Sequence, residues 1–158
     1  MKTCIFAGSF DPITNGHKYV IEKCLQMFDK VIVAIGENKD KHPYFSLEER
    51  TQMIKGAFNG NERVVVDTFS GMLVDYMKKN NLAINVRGIR DQRDYEYETT
   101  MAKFNKDMYE DIITIYLPTP SELTHVSSSA VKNILSLDGD LSKYVPQSVI
   151  DLIKKRQK

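Results

Sequence analysis

The sequence predicts a single α/β domain, residues 1–158, built on a doubly wound parallel sheet of five strands in the order 3-2-1-4-5 with helices on both faces. Three observations predict it. Apolar, β-branched segments alternate with amphipathic stretches along the chain, the pattern of repeated strand–helix units. The run Val31-Ile32-Val33-Ala34-Ile35 is apolar at every position, which suits a parallel strand covered on both faces. A glycine-bearing turn, Gly8-Ser9-Phe10-Asp11-Pro12-Ile13-Thr14-Asn15-Gly16-His17, follows directly on the first apolar segment and opens into a helix.

Taken in order, strands are expected at 3–7, 30–35, 63–69, 83–87 and 112–117. Helices are expected at 16–28, 46–58, 71–80, 92–109, 128–137 and 146–156. Thr14 can cap the first helix. Ser46 and Glu49 form a Ser-x-x-Glu capping box ahead of the apolar positions Leu47, Ile54, Ala57 and Phe58. Ser70 is expected to cap the third helix, Pro146 stands where a first-turn proline is tolerated, and Gly139 reads as a stop signal. The stretch 36–45 is the longest polar connection before the C-terminal third. In the Rossmann-like order 3-2-1-4-5, strands 1 and 4 lie side by side at the topological switch point, where ligands bind beyond the carboxyl ends of the strands. The segments after those two strands are the 8–17 turn and Arg87-Gly88-Ile89-Arg90-Asp91, so the two most unusual loops are expected to face each other.

Composition narrows the class. The chain is 42% hydrophobic and 27% charged, ordinary values for a globular protein, and its formal net charge of +1 gives no reason to expect attraction to nucleic acid or membrane. The N-terminal apolar stretch is too short for a signal-peptide core, and no later segment is long enough to span a bilayer. Cys4 on a strand and Cys24 on the apolar face of a helix read as buried free thiols of a reducing cytoplasm.

The candidate chemistry gathers around phosphate. A tight glycine turn between strand and helix exposes backbone N–H groups at the positive end of a helix dipole. It lacks the Gly-x-x-x-x-Gly-Lys-Ser/Thr and Gly-x-Gly-x-x-Gly spacings, so it belongs to another nucleotide-using class. Thr14 and His17 are three apart and share the helix-start face, where His17 can reach the same anion. Arg87 and Arg90 flank Gly88; they read either as phosphate ligands or as surface arginines paired with Asp91, Asp94, Glu96 or Glu98. Ser127-Ser128-Ser129 opens a helix as a second phosphate site or simply as caps. Lys41 reads as a reach to a substrate phosphate or as a solvated neighbour of Lys39. His42 and His125 have no metal-ligand spacing, and no metal held by the protein alone is expected. The series Tyr95, Tyr97, Met101, Phe104 and Met108 reads as core or subunit interface, and Leu73 by default as core.

Together these motifs resemble the nucleotidyltransferase superfamily with the Thr/His-x-Gly-His signature, and within it the bacterial phosphopantetheine adenylyltransferases. The resemblance rests on residues 8–17, Phe45-Ser46-Leu47-Glu48-Glu49-Arg50, Arg87-Gly88-Ile89-Arg90-Asp91, Asp94-Tyr95-Glu96-Tyr97-Glu98 and Val126-Ser127-Ser128-Ser129, and spans essentially the whole chain. It implies transfer of AMP from ATP to 4′-phosphopantetheine, giving dephospho-coenzyme A and pyrophosphate in coenzyme A biosynthesis. It implies further that His17 stabilises the transition state. ATP would be bound by Ser9, Phe10, His17, Gly88, Ile89, Arg90, Glu98, Leu123, Thr124, His125, Val126, Ser127, Ser128 and Ser129. The acceptor would be bound by Ser9, Lys41, Leu73 and Arg87. Magnesium would arrive with ATP, the assembly would be a homohexamer, and coenzyme A is a candidate feedback inhibitor. Here Thr14 stands where many relatives carry His, and Lys132 where related transferases often place Arg. Two alternatives remain at this point: a nicotinate or nicotinamide mononucleotide adenylyltransferase, and a non-catalytic nucleotide-binding sensor of the same fold.

Overall fold

The computed structural model describes residues 1–157. Strands and helices alternate as β1 (Thr3–Gly8), α1 (Asn15–Met27), β2 (Lys30–Glu37), α2 (Leu47–Ala57), β3 (Val64–Ser70), α3 (Leu73–Lys79), β4 (Ile84–Ile89), α4 (Gln92–Met108) and β5 (Ile113–Pro118). A 3₁₀ turn at Ser121–Leu123, α5 (Ser128–Ser136) and α6 (Gln147–Arg156) complete the chain. The sheet is all parallel in the order β3-β2-β1-β4-β5, the order expected from the alternation.

Two apolar clusters cover the sheet faces. One gathers Cys4, Phe6, Val31, Val33 and Val86 with Val20, Ile21 and Cys24 of α1 and Met53 and Ile54 of α2. The other gathers Ile5, Ala7, Ala34, Val74, Met77, Leu82 and Ile112. Alternate residues of β1 and β2 thus point to opposite layers, which is why those strands read as unbroken apolar runs. Full burial of a side chain such as Ile5 or Ile21 contributes about 1.5–3 kcal/mol over exposure. Both cysteines are free thiols inside the first cluster's residues.

Local signals behave as the chemistry of caps requires, with one exception. Thr14 and Ser46 cap α1 and α2 as full capping boxes. Ser70, expected to cap the third helix, instead ends β3: Gly71 turns the chain at φ 80 and α3 starts after Met72 with no side-chain cap. The β ladder with β2 extends to Ser70, paired with Glu37, and so takes the residue the cap would need. Pro146 occupies the cap position of α6 itself. The end of α5 is a Schellman turn, with Asp138 at φ 56 and the Gly139 N–H donating to the Ile134 carbonyl at 2.9 Å. Gly139 serves there through its small size, since a Cβ would lie 2.5 Å from Ile134 Cγ2.

The site is prepared by an uneven sheet. β1 pairs with β2 over six residues, and β4 with β5 over six, but β1 and β4 pair only at Cys4–Ile84 and Ile5–Asn85. Beyond Ile5 the two central strands part, and the loops that leave their carboxyl ends border the opening.

Candidate active site

The 8–17 turn is held from outside rather than by its own geometry. Phe10 sits at φ 47, in the left-handed region. For a bulky residue that conformation costs about 1–3 kcal/mol and persists only where neighbours over-determine it. They do. Arg50 of α2 donates from Nη1 to the Ser9 carbonyl at 3.0 Å and from Nε to the carbonyls of Phe45 at 3.1 Å and Ser46 at 3.4 Å. In return the Asp11 carboxylate accepts the Tyr44 and Phe45 N–H groups at 2.8 and 2.9 Å, and Lys132 stands 3.6 Å away. Ser128 Oγ donates to the Pro12 carbonyl at 2.8 Å, tying α5 to the same turn. Among the described residues the buried polar side chains are Asp11, Thr14, Arg50 and Asn85, so three of four lie in this turn or grip it.

His17 is aimed by the cap it completes. The Thr14 N–H donates to His17 Nδ1 at 3.0 Å, while Thr14 Oγ1 accepts the His17 N–H at 3.3 Å. An amide N–H can only donate, so Nδ1 is the acceptor and the proton of the neutral ring is on Nε2. Burial lowers the pKa to about 4, helped by the positive charges of Arg90 and Arg87. At neutral pH His17 is therefore an uncharged, fixed N–H donor. Its ring packs edge-on against Phe10 at 5.0 Å.

Two clefts open on either side of His17 and Ser128, which line both. The first, of ≈ 250 Å³, lies where β1 and β4 part and is lined by Gly8, Thr14, Arg87, Gly88, Arg90, Glu98, Val126 and Ser127 among others. Gly88 is tight against α1: a Cβ there would stand 3.1 Å from Val20 Cγ2. Both arginines are already paired. Glu98 binds Arg87 with both oxygens, at 2.8 and 2.9 Å, while Arg87 Nη1 also bridges to the Ala7 carbonyl at 2.7 Å. Arg90 Nε donates to Asp94 at 3.0 Å. The pairing expected of these arginines is thus present, with Glu98 and Asp94 of α4, and the paired side chains line the cleft.

The second cleft, of ≈ 650 Å³, runs between the β2–α2 loop and α5. Ser9, Phe10, Lys41, Ser129, Lys39, Arg50 and Lys132 line it, with Asp11 and Glu37 as its carboxylates. Among the described residues Lys39, Lys41 and Arg50 have no carboxylate within 4.0 Å. The residues expected around the acceptor are therefore divided: Ser9 and Lys41 line the second cleft and Arg87 the first. Leu73, the first residue of α3, lines neither and packs on the Ile5/Ala7 cluster. Ile89, Leu123, Thr124 and His125 line neither as well; the His125 ring lies 6.1 Å from that of Tyr144. Among the described residues no group of three or more His, Cys, Asp or Glu side chains is placed to hold a metal.

Sequence reasoning passed over Arg50, Asp11 and Thr119. Arg50 had a signal, because it falls at helical spacing with Leu47, Ile54 and Ala57 on the face that turns inward. A charge at such a position is buried and must be paired or functional. Thr119 reaches the first cleft because the chain runs on beside β4 one step past β5, with its N–H on the Ile89 carbonyl at 2.8 Å.

Residues 5–134 match the Cytidylyltransferase-like family. A phosphopantetheine adenylyltransferase of Alkaliphilus metalliredigens is 38% identical over 156 residues, 99% of each chain. One of Geotalea daltonii is 41% identical over 149 residues, 94% of this chain and 92% of the relative. The solved Plasmodium falciparum nicotinic acid mononucleotide adenylyltransferase complexed with NaAD shares the fold, with a TM-score of 0.71 at 19% identity over 97% of this chain and 95% of that one. On near full-length identity this high, the chain belongs to the phosphopantetheine adenylyltransferase family of cytidylyltransferase-like proteins.

Proposed function

We infer that this protein is an enzyme that transfers AMP from ATP to 4′-phosphopantetheine, releasing pyrophosphate and forming dephospho-coenzyme A. The observation that carries the reading is His17, a neutral Nε2–H donor standing where a charge-balanced cleft meets a cationic one. The acceptor is taken from the relatives' name.

In the reaction an oxygen of the acceptor phosphate attacks the α-phosphorus of ATP. One P–O bond forms, the bond to the β-phosphate bridging oxygen breaks, and pyrophosphate leaves with the electron pair. The nucleophile is already ionised near neutral pH, so no general base is needed and positioning with charge stabilisation carries the rate. His17 Nε2–H is proposed to donate to a non-bridging oxygen of the α-phosphate as charge builds there. A neutral His suits that role, because it gives a hydrogen bond without moving a proton. Gly88, Ile89, Arg90, Glu98 and the stretch 123–129 are proposed for ATP, and Ser9, Lys41, Leu73 and Arg87 for the acceptor. Phe10 is buried to 2% exposure, so its proposed ATP contact runs through the main chain rather than the ring. Magnesium is proposed to arrive with the nucleotide, where it would supply positive charge to the phosphates; the Asp11 oxygens are taken by two N–H groups and Lys132 and do not offer a cage.

A homohexamer is proposed as the assembly. No residue of α4 is buried, and Tyr95, Tyr97 and Phe104 are 52, 63 and 57% exposed, which supports subunit contact over core for those three. Coenzyme A is proposed as a feedback ligand, since it contains both halves of the product. A cytoplasmic location is proposed from the substrates; no helix among the described residues is long and apolar enough to cross a membrane.

The test is pyrophosphate release from ATP with each acceptor in turn. Release is expected with 4′-phosphopantetheine. Turnover only with nicotinate or nicotinamide mononucleotide would overturn the reading.

A further inference from the structure

We propose that Arg50 is a positioning residue for the transfer, holding the Ser9–Phe10 peptide so that the Phe10 N–H is presented to ligand phosphate. The inference rests on the adenylyl-transfer reading and adds to it a residue outside the expected contacts.

Three observations converge. First, Arg50 is 5% exposed and carries its charge without a carboxylate within 4.0 Å among the described residues. Its partners are the carbonyls of Ser9, Phe45 and Ser46. Carbonyl dipoles satisfy the donors but do not cancel the charge, and a buried cation without a counter-charge is costly. The side chain lines the second cleft, so an anion seated there supplies the missing negative charge.

Second, the peptide it grips is the strained one. The Ser9 carbonyl and the Phe10 N–H belong to a single planar unit, and the cis bond of the turn is the later one, Asp11–Pro12. In a trans peptide the carbonyl and the N–H point in opposite directions. Pinning the Ser9 carbonyl towards Arg50 therefore turns the Phe10 N–H away from α2. Phe10 lies at φ 47, which alone disfavours that peptide orientation for a bulky residue. The guanidinium on one side and the Asp11 grip on Tyr44 and Phe45 on the other fix it.

Third, the Phe10 N–H has no acceptor within the chain among the described residues, although the Phe10 ring beside it is buried. Free N–H groups in such a setting are rare unless a ligand takes them. Ser9 and Phe10 both line the cleft where the cations stand.

Two readouts test the assignment, one with catalysis and one without. Arg50→Met keeps volume and removes donors and charge; Arg50→Lys keeps one donor and the charge. With folding verified by circular dichroism and activity expressed per folded enzyme, Arg50→Met is expected to lower kcat by about 10- to 100-fold while changing KM for ATP less, the cost of a donor misaimed by about an ångström. Arg50→Lys is expected to recover part of that loss. Separately, the ¹⁵N-labelled Phe10 amide is expected to shift on addition of inorganic pyrophosphate in the parent, and not in Arg50→Met.

A folded Arg50→Met with the parent's kcat, or one whose Phe10 amide still responds as in the parent, would overturn the inference while leaving the function intact. Should the Met variant not fold, Arg50→Lys decides: parental kcat together with a parental amide response would overturn it. A parent that responds to pyrophosphate at Phe10 but turns over no phosphopantetheine would overturn the proposed acceptor and leave the role of Arg50 standing.

Discussion

The first cleft and the second differ in what their positive charges are doing. In the first, Arg87 is bound by both oxygens of Glu98 and Arg90 by Asp94, two cations against two carboxylates. In the second, Lys39, Lys41, Arg50 and Lys132 face Asp11 and Glu37, and among the described residues only Lys132 has a carboxylate partner. A pair already neutralised holds shape and direction but attracts an anion weakly, whereas unpaired cations attract one strongly. On the proposed reading, the difference suits the weakly charged end of the ligands to the first cleft and the most highly charged phosphates to the second, with His17 lining both.

Breaking the junction should have the largest effect. His17→Ala is expected to leave the fold intact and to lower kcat by about 10²- to 10³-fold, with ATP affinity changed far less, the loss typical of one pre-aimed donor to a developing charge. Steady-state kinetics beside equilibrium ATP binding checks this, and unchanged kcat would remove His17 from the chemistry.

Next in size is the paired cleft. Arg87→Ala leaves Glu98, 12% exposed at its side chain, without its partner. The expected cost is about 2 kcal/mol, seen as a fall in Tm of about 4–8 °C. Glu98→Gln should cost a similar amount, and the double variant less than the two together, because the residues act as one unit. If Arg87→Ala loses acceptor affinity with Tm unchanged, Arg87 belongs with the free cations and the contrast between the clefts fails.

In the cationic cleft the loss should fall on binding without a loss of stability. Lys41→Ala is expected to leave Tm unchanged, to weaken acceptor binding about tenfold, and to reduce the dependence of that binding on salt. Calorimetric titration at two ionic strengths measures both. Lys132→Ala should do less, because part of its charge is already answered by Asp11 at 3.6 Å.

The smallest effect near neutrality concerns pH. Burial, with Arg90 and Arg87 beside it, holds the His17 pKa at about 4 in the folded protein, against an ordinary value near 6.5. Between those values the unfolded chain binds a proton that the folded one does not, so stability rises with pH through this window and falls as pH drops from 6.5 towards 4. Thermal unfolding across that range should show the slope, and His17→Gln should flatten it. A parent without the slope would mean that the imidazole is not held neutral.

Much of the fold was legible because its causes are local. Apolar runs at 3–7 and 30–35, the capping boxes at Thr14 and Ser46, and the alternation of periods produce the observed elements with shifts of one or two residues at their ends. Where local and non-local causes competed, the sequence misled. Ser70 has the chemistry of a cap but is recruited by the ladder to Glu37. The aromatic series of α4 has the spacing of a buried face, yet Tyr95, Tyr97 and Phe104 are each more than half exposed, so of its two readings, core or subunit contact, the core one does not hold for them. The site shows the same division. The loops at 8–17 and 87–91 converge because topology requires it, whereas the grip of Arg50 on Ser9, 41 residues away, depends on how α2 docks. No spacing rule encodes that contact.

The two-residue pairing of β1 with β4 has a further meaning for cohesion. Each side of the sheet keeps a six-residue ladder, so the molecule consists of two well-stitched leaves joined by a two-rung seam. With each backbone hydrogen bond contributing about 1 kcal/mol net, widening the crevice by one further residue pair sacrifices little, while the same change inside either leaf would interrupt a continuous ladder. Arg87, reaching from β4 to the Ala7 carbonyl, is the stitch just past the last rung. The binding crevice thus occupies the line along which the sheet is most easily parted.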